Sequence, residues 1–331
     1  MTALLQVDGL RVHLPVEGRL RRVLHEVSIE VAAGEALGIV GESGSGKSMT
    51  ARAIGRLLPA GARVEGDIRF GGADVLRLSG DALRRYRSGG VAMIFQDPRA
   101  HINPVRTVGD FLTEGLRTHQ RLSRKEATRI AVGLLADVGI DDGAHRMTQF
   151  PHELSGGLLQ RVMIAAALAA EPLMLLADEP TTALDVTTQS EVMAILDRLR
   201  RERGMAMVFI THDLELAGAV CDRTAVMYAG SIVEQNASAR LHSDPLHPYT
   251  QGLVQARPDI ASTTRLVAIP GQPMSAYEVG NGCPFAARCR YRADVCTTQV
   301  PPLRPWHGGW TRCLRAEEIA DQLAAQGANR G

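Results

Sequence analysis

The chain has 331 residues, long for one compact domain, so about two domains are expected. Hydrophobic residues make up 45% and charged residues 22%, an ordinary globular balance, while a net charge of +1 and 4% aromatics speak against a nucleic-acid binder. No apolar run reaches the ~18–20 residues of a membrane span and the N-terminus lacks signal-peptide architecture, so a cytosolic location is expected, with membrane work done through a partner.

Residues 4 to 40 alternate as strands do: Leu5-Val7, Leu10-Val12-Leu14, then Val27-Ile29-Val31. The turn Ala33-Gly34-Glu35 leads into a short buried strand, Ala36 to Val40. Directly after it comes Gly41-Glu42-Ser43-Gly44-Ser45-Gly46-Lys47-Ser48, which fits the phosphate-loop pattern G-x-x-x-x-G-K-[ST]. Met49 to Leu58 reads as the following helix. Glycines let such a loop close around an anion, and the helix N-terminus adds partial positive charge. Lys47 is suited to the β- and γ-phosphates, and the Ser48 hydroxyl to Mg2+. The plainer alternative, a Gly/Ser loop that merely caps a helix, is removed by what lies downstream.

A further strand is expected at Gly66 to Phe70, and Val91 to Phe95 is apolar and β-rich. From Thr107 to about Ala170 the period is helical, clearest over Lys125 to Val138. Leu154-Ser155-Gly156-Gly157-Leu158-Leu159-Gln160-Arg161 opens the last of these helices with a hydroxyl and two glycines, a second anion-binding arrangement; an N-cap with spacing glycines is the simpler reading. Leu173 to Ala177 is a continuous apolar run ending in Asp178-Glu179, as a central parallel strand with acids at its carboxyl end would be. Asp178 suits a water-mediated Mg2+ contact and Glu179 the polarisation of an attacking water. Ser190 to Arg203 reads as a helix stopped by Gly204, and Met205 to Ile210 as another buried strand before Thr211-His212-Asp213. This alternation implies a mostly parallel α/β sheet. The basic runs Arg19 to Arg22, Arg117 to Arg129 and Arg198 to Arg203 read as solvated faces.

These motifs, in this order, resemble the ATP-binding subunits of ABC transporters over roughly residues 4 to 235. The resemblance rests on the phosphate loop, Gln96 in Phe95-Gln96-Asp97-Pro98, the Leu154–Gln160 stretch, Asp178-Glu179, Ala183-Leu184-Asp185, and His212. It implies an α/β fold with a P-loop NTPase core, an N-terminal antiparallel β subdomain and an inserted helical subdomain at about 97–165. It also implies that two such subunits face each other head to tail, each ATP bridging one phosphate loop and the partner's Ser155, Gly156, Gly157 and Gln160. Nucleotide contacts are then expected from Gly41, Ser43, Gly44, Ser45, Gly46, Lys47, Ser48, Met49 and Asp185. Catalytic roles fall to Glu179, His212 and Gln96, and Mg2+ to Ser48, Gln96 and Asp178. The family stacks adenine on an aromatic in its second N-terminal strand; here His13 stands in that segment and could stack or be a plain strand residue.

After about residue 250 prolines and cysteines concentrate, and periodicity fades until Ala316 to Ala325, so residues 251–331 are read as a small C-terminal extension to a 1–250 ATP-binding domain. Ile102-Asn103-Pro104, Pro151-His152-Glu153, His247-Pro248-Tyr249-Thr250 and the tail Cys283-Pro284-Phe285 … Arg288-Cys289 … Cys296 … Cys313 resemble the oligopeptide/dipeptide permease branch. The spacing C-x5-C-x6-C-x16-C lacks a C-x2-C knuckle and fits a standard zinc ribbon poorly. Four thiolates could hold a four-iron four-sulfur cluster, which that resemblance favours, or Zn2+, with His307 replacing one cysteine; they could also stay unliganded. Cys221 reads as a small core residue.

The function this implies is an ATP-hydrolysing subunit of a binding-protein-dependent importer of peptides, peripheral on the cytoplasmic face of the membrane. Its partners would be a second ATPase (a sister chain or a copy of itself), two permeases and an extracytoplasmic solute-binding protein, and no nucleic acid. Import of nickel or another small solute, and a soluble ABC ATPase without a transport role, are the alternatives.

Overall fold

The computed structural model describes residues 3–182, 184–256 and 268–324; Ala183 of the Ala183-Leu184-Asp185 motif and Ala325 lie outside these. By its contacts the chain divides into two units. One comprises Met1–Leu4, Val31–Glu35 and Val75–Phe209; the other comprises Leu5–Glu30, Ala36–Asp74 and Ile210–Gly331.

In the second unit, Ala3–Val16 and Arg19–Ala32 form the centre and one edge of an antiparallel sheet completed by Arg63–Phe70 and Ala73–Asp74. Burial along the first strand changes phase, from Leu5 and Val7 to Leu10 and Val12. The pairing with Arg63–Phe70 slips between Asp8 and Arg11, and Gly9 takes a positive φ of 55°. A bulge therefore absorbs one residue, joining into a single strand what the sequence shows as two alternating pieces. The fully buried strand Ala36–Val40 runs parallel to Arg223–Tyr228, with Leu37 opposite Arg223 and Val40 opposite Val226. Arg223–Tyr228 turns antiparallel into Ser231–Ala237, which pairs with Gly309–Thr311, itself paired with Arg304–Trp306. Three-residue strands are too short to show a period, so this hairpin leaves no mark in the sequence pattern.

In the first unit, Val91–Ile94 runs parallel to Met174–Asp178, Val91 opposite Met174 and Ile94 opposite Ala177, with Ala206–Thr211 on the other side of Met174–Asp178. The helical region holds Val108–Thr118, capped by Thr107, Arg124–Asp137, closed by a Ser123–Glu126 capping box, and Gly156–Leu168. Gly109 has no room for a side chain, since a Cβ there would lie 2.7 Å from the Met147 carbonyl oxygen.

Some boundaries differ from expectation for local reasons. The helix after the phosphate loop starts at Lys47 and ends at Ile54, short of Leu58, because Gly55 caps it and Arg56 takes a left-handed φ of 57°. The helix expected from Ser190 begins at Val186, since Asp185 caps it by accepting the Thr188 N–H. Its β-branched opening Val186-Thr187-Thr188 hides that start. Arg200 is not on a solvated face: its guanidinium is buried and donates to the Gly34 carbonyl and to Asp197. Among the described residues no helix is long and apolar enough to cross a membrane.

Candidate active site

In the second unit the phosphate loop leaves the buried strand at Gly41. A Cβ at Gly41 would lie 2.1 Å from the Met227 carbonyl oxygen, and one at Gly46 2.8 Å from Leu24. Gly44 and Gly46 have φ of +79° and +105°, which side chains resist. These glycines are therefore required by packing and by backbone conformation together. Gly46 is the N-cap of Lys47–Ile54, so the loop closes on the positive end of a helix. Lys47 is 4% exposed, and its ammonium donates to the Gly41 and Glu42 carbonyls at 2.8 and 3.1 Å. The buried Ser45 hydroxyl has no hydrogen-bond partner, an orphan of the kind that a bound group satisfies.

Glu42, an unspecified position of the motif, is tied on every side. Its N–H donates to the Tyr249 hydroxyl at 2.9 Å. Its carboxylate accepts two hydrogen bonds from Arg288, at 2.6 and 3.1 Å. Burial first, then the charge of Glu42, pushes the Tyr249 phenol well above its usual range, so it stays a neutral hydroxyl. In the same unit, His212 is exposed at the end of Ala206–Thr211, just before Asp213 caps the helix Leu214–Val220. His13 accepts from Arg22 Nε at 3.2 Å and lies 3.9 Å from Glu65, on the antiparallel sheet. Cys221 is buried, with its Sγ beside Gly38, in keeping with a core residue.

The first unit holds the acids. Parallel pairing brings the carboxyl ends of Val91–Ile94 and Met174–Asp178 level, and so brings Gln96 to Glu179. Gln96 Nε2 and Thr182 Oγ1 both donate to Glu179 Oε2, at 3.1 and 2.9 Å. Asp178 is 2% exposed at the strand end. Glu179 adopts a left-handed φ of 45°, a conformation costing about 1–3 kcal/mol that concentrates at functional sites.

The Leu154–Gln160 stretch lies in this unit too. Ser155 caps Gly156–Leu168, accepting from the Leu158 N–H at 3.3 Å. Its two glycines differ. A Cβ at Gly157 would meet Thr188 Cγ2 at 2.7 Å, whereas at Gly156 the nearest atom is Leu184 Cδ2 at 3.9 Å. Internal packing thus explains Gly157 and leaves Gly156 without an internal reason. Gln160 is 2% exposed and its Nε2 has no partner. The Asp185 carboxylate accepts from the Thr188 N–H and hydroxyl, which hold its pKa below the usual carboxylate value.

Cys283, Cys289, Cys296 and Cys313 line one cavity in the second unit, beside Phe285 and Ile319. Burial, and then the neighbouring thiolates, push Cys283 up to about 12 and Cys313 to about 11, with Cys289 raised for the same reasons. Four cysteines gathered around one cavity form a sulfur donor set for a cation. Among the described residues no three His, Cys, Asp or Glu side chains are arranged to hold a metal as they stand. His307 sits in the turn between Arg304–Trp306 and Gly309–Thr311 and does not line the cavity. Glu42, Thr182 and Arg288 carry no motif of their own; Tyr249 and Arg288 lie inside tail stretches that the permease-branch resemblance marks, but nothing local joins them to the phosphate loop.

The family described as ABC transporter matches residues 24–182, and the oligopeptide/dipeptide transporter C-terminal region matches residues 233–296. The oligopeptide transport ATP-binding protein OppD of Escherichia coli is 42% identical over 318 residues, covering 96% of this chain and 94% of that protein. OppD of Salmonella typhimurium is 41% identical over 317 residues, covering 95% and 94%. Among solved structures, a post-hydrolysis dimer of an ATP-binding cassette bound to ADP and Pi matches with a TM-score of 0.64 at 28% identity, over 71% of this chain and 98% of that one. CbiO1 of Clostridium perfringens, part of an ABC transporter complex, matches with a TM-score of 0.62 at 26% identity, over 73% and 91%. A relationship of this depth, running through both the cassette and the tail, places the chain in the ABC transporter ATP-binding family, in its oligopeptide/dipeptide transporter branch.

Proposed function

We propose that the protein is the ATP-hydrolysing subunit of a binding-protein-dependent peptide importer, working on the cytoplasmic face of the membrane with two permeases and a second ATPase chain. The observation that carries this is similarity to peptide-transport ATPases over nearly the whole chain, tail included. Purified with its permeases and binding protein in liposomes, it should hydrolyse ATP in step with uptake of labelled peptide. Uptake of nickel instead of peptide would move the assignment to a metal importer, and ATPase activity indifferent to any permease would sink the transport role.

The phosphate loop fits a nucleotide's phosphates: Gly41 and Gly46 leave no room for side chains, Gly44 takes a positive φ, Lys47 lies across the loop, and Ser45 presents an orphaned hydroxyl. Lys47 would hold the β- and γ-phosphates, with Ser43, Gly44, Ser48 and Met49 contributing from the loop and helix start. Mg2+, when bound, neutralises charge developing on the transferred phosphoryl group; Ser48, Asp178 and Gln96 are the residues that would hold it. Glu179, its carboxylate fixed by Gln96 and Thr182, would orient and deprotonate the attacking water, and His212 would hold the γ-phosphate. His13 is assigned only as a weak adenine contact. In the tail, Cys283, Cys289, Cys296 and Cys313 are assigned to a structural four-iron four-sulfur cluster on the strength of the permease-branch resemblance, with Zn2+ as the other ion suited to four thiolates.

Ser155, Gly156, Gly157 and Gln160 are assigned to ATP held by the opposite subunit. Gly156→Asp should fold, because the chain itself leaves space there. Its carboxylate would oppose the γ-phosphate, so ATP-driven dimerisation, followed by light scattering, should fail while the monomer still binds nucleotide. Loss of binding by the monomer would mean that the stretch acts within its own chain.

A further inference from the structure

We propose that Arg288 is a positioning residue of the phosphate loop, which sets ATP affinity by gripping Glu42 from the cysteine-bearing tail. This rests on the reading that the loop binds ATP.

Glu42 follows the first glycine of the loop, where the strand's straight course gives way to the anion-binding curl. Three groups fix it there. Its N–H is held by Tyr249, its carbonyl accepts from Lys47 at 3.1 Å, and its carboxylate is taken by Arg288. Two of the three come from more than 200 residues away, at separations of 207 and 246. Lys47 shares its ammonium between Gly41 and Glu42, so any swing of Glu42 also moves an acceptor of the lysine meant for phosphate.

Arg288 is built to hold one direction. Its side chain is 5% exposed. Its Nε donates to the Pro270 carbonyl at 2.8 Å, and its guanidinium lies 5.8 Å from the Tyr228 ring centre and 6.0 Å from that of Phe285. A planar fork seated this way presents two parallel N–H groups to Glu42 and fixes orientation as well as charge. The residue ends the turn Ala286–Arg288, with Cys283 just before that turn and Cys289 just after it. Phe285 packs against Tyr228 and Tyr249 in the same core, with Cys283 and Cys289 at its margin. The order of the cysteine pocket is thereby passed to the loop through one guanidinium. A buried ion pair by itself is weak support for stability, and apolar replacements often serve as well. What singles this pair out is its acceptor, a backbone-defining position of the phosphate loop.

The test uses the full-length protein purified anaerobically, titrated with ATP by calorimetry in the absence of Mg2+, then assayed for turnover with Mg2+. Arg288→Met should weaken ATP binding about 10–100-fold, the range set by losing hydrogen bonds to a charged group. Turnover at saturating ATP should stay within about threefold, because Glu179 and His212 are untouched; KM rises and kcat holds. Arg288→Lys keeps the charge without the fork and should remain weak. Glu42→Gln should lose affinity as well, and the double variant Glu42→Gln/Arg288→Met should be no worse than the weaker single one. Wild-type affinity in Arg288→Met, or losses that add, would overturn the proposal. Should Arg288→Met fail to fold, Glu42→Gln decides alone, and wild-type affinity there overturns it. If the wild-type chain binds no ATP, the reading of the loop fails, a result distinct from all of these.

Discussion

Glu179→Gln is expected to cut ATP turnover by about 10^2–10^4-fold, the usual contribution of a positioned general base. The substitution keeps the size and shape of the side chain. Gln96 and Thr182 can still donate to its amide oxygen, so the geometry at the carboxyl ends of the two parallel strands survives. What is lost is the capacity to accept a proton from water. The left-handed backbone at this residue makes the geometric argument sharper, since a glutamine has the same Cβ and pays the same conformational cost as the glutamate. ATP should therefore bind with near-normal affinity and the dimer should accumulate closed. The measurement is phosphate release from the assembled transporter, beside ATP-dependent dimerisation of the isolated chain. Turnover within a fewfold of wild type would remove Glu179 from the catalytic assignment.

The second large effect concerns the tail. Cys283→Ser is expected to abolish metal retention and disorder the segment around the pocket, exposing it to limited proteolysis. Structural Zn2+ in zinc-finger peptides contributes on the order of 10–16 kcal/mol, comparable to or larger than the ~5–15 kcal/mol stability of a whole domain, and a metal on these cysteines would act in the same way. Phe285 ties one side of the pocket to the neighbouring core, and the short segments that carry Cys289, Cys296 and Cys313 close the other side, where the metal would hold them together. Because Arg288 sits between Cys283 and Cys289, the same variant should also weaken ATP binding. Anaerobically purified wild-type protein should be brown and contain iron and sulfide. One equivalent of zinc without iron would replace the cluster and keep the site; neither metal, with an ordered tail, would remove the site altogether.

The phosphate loop is legible in the sequence because its residues are contiguous: Gly44 and Gly46 answer to a positive φ, although Gly41 answers to the Met227 carbonyl, which lies far along the chain. Glu179 is legible because an apolar strand ends on it. By contrast, Thr182 has no mark beyond its spacing, and it becomes meaningful only when its hydroxyl is seen on Glu179. The clamp on Glu42 could not be read, since a hydrogen bond across 246 residues leaves no period and no spacing. The tail's strands were hidden by their length, and the start of the helix at Val186 by β-branched residues that a cap at Asp185 makes acceptable. The two signature glycines look alike in sequence. Only the neighbouring atoms separate Gly157, which packing requires, from Gly156, which it does not.

The hairpin Arg304–Trp306 and Gly309–Thr311 also governs how this protein keeps to itself in a crowded solution. Gly309–Thr311 occupies the flank of the seven-residue strand Ser231–Ala237, and the new outer rim is only three residues long with Pro305 at its middle. Proline offers no N–H to a neighbour, so the rim cannot recruit another chain, whereas the strand beneath it could. Trimming the molecule to a minimal cassette would thus uncover a sticky seam, and insolubility of such a shortened protein would reflect lost shielding of that seam and say nothing about the integrity of its phosphate loop.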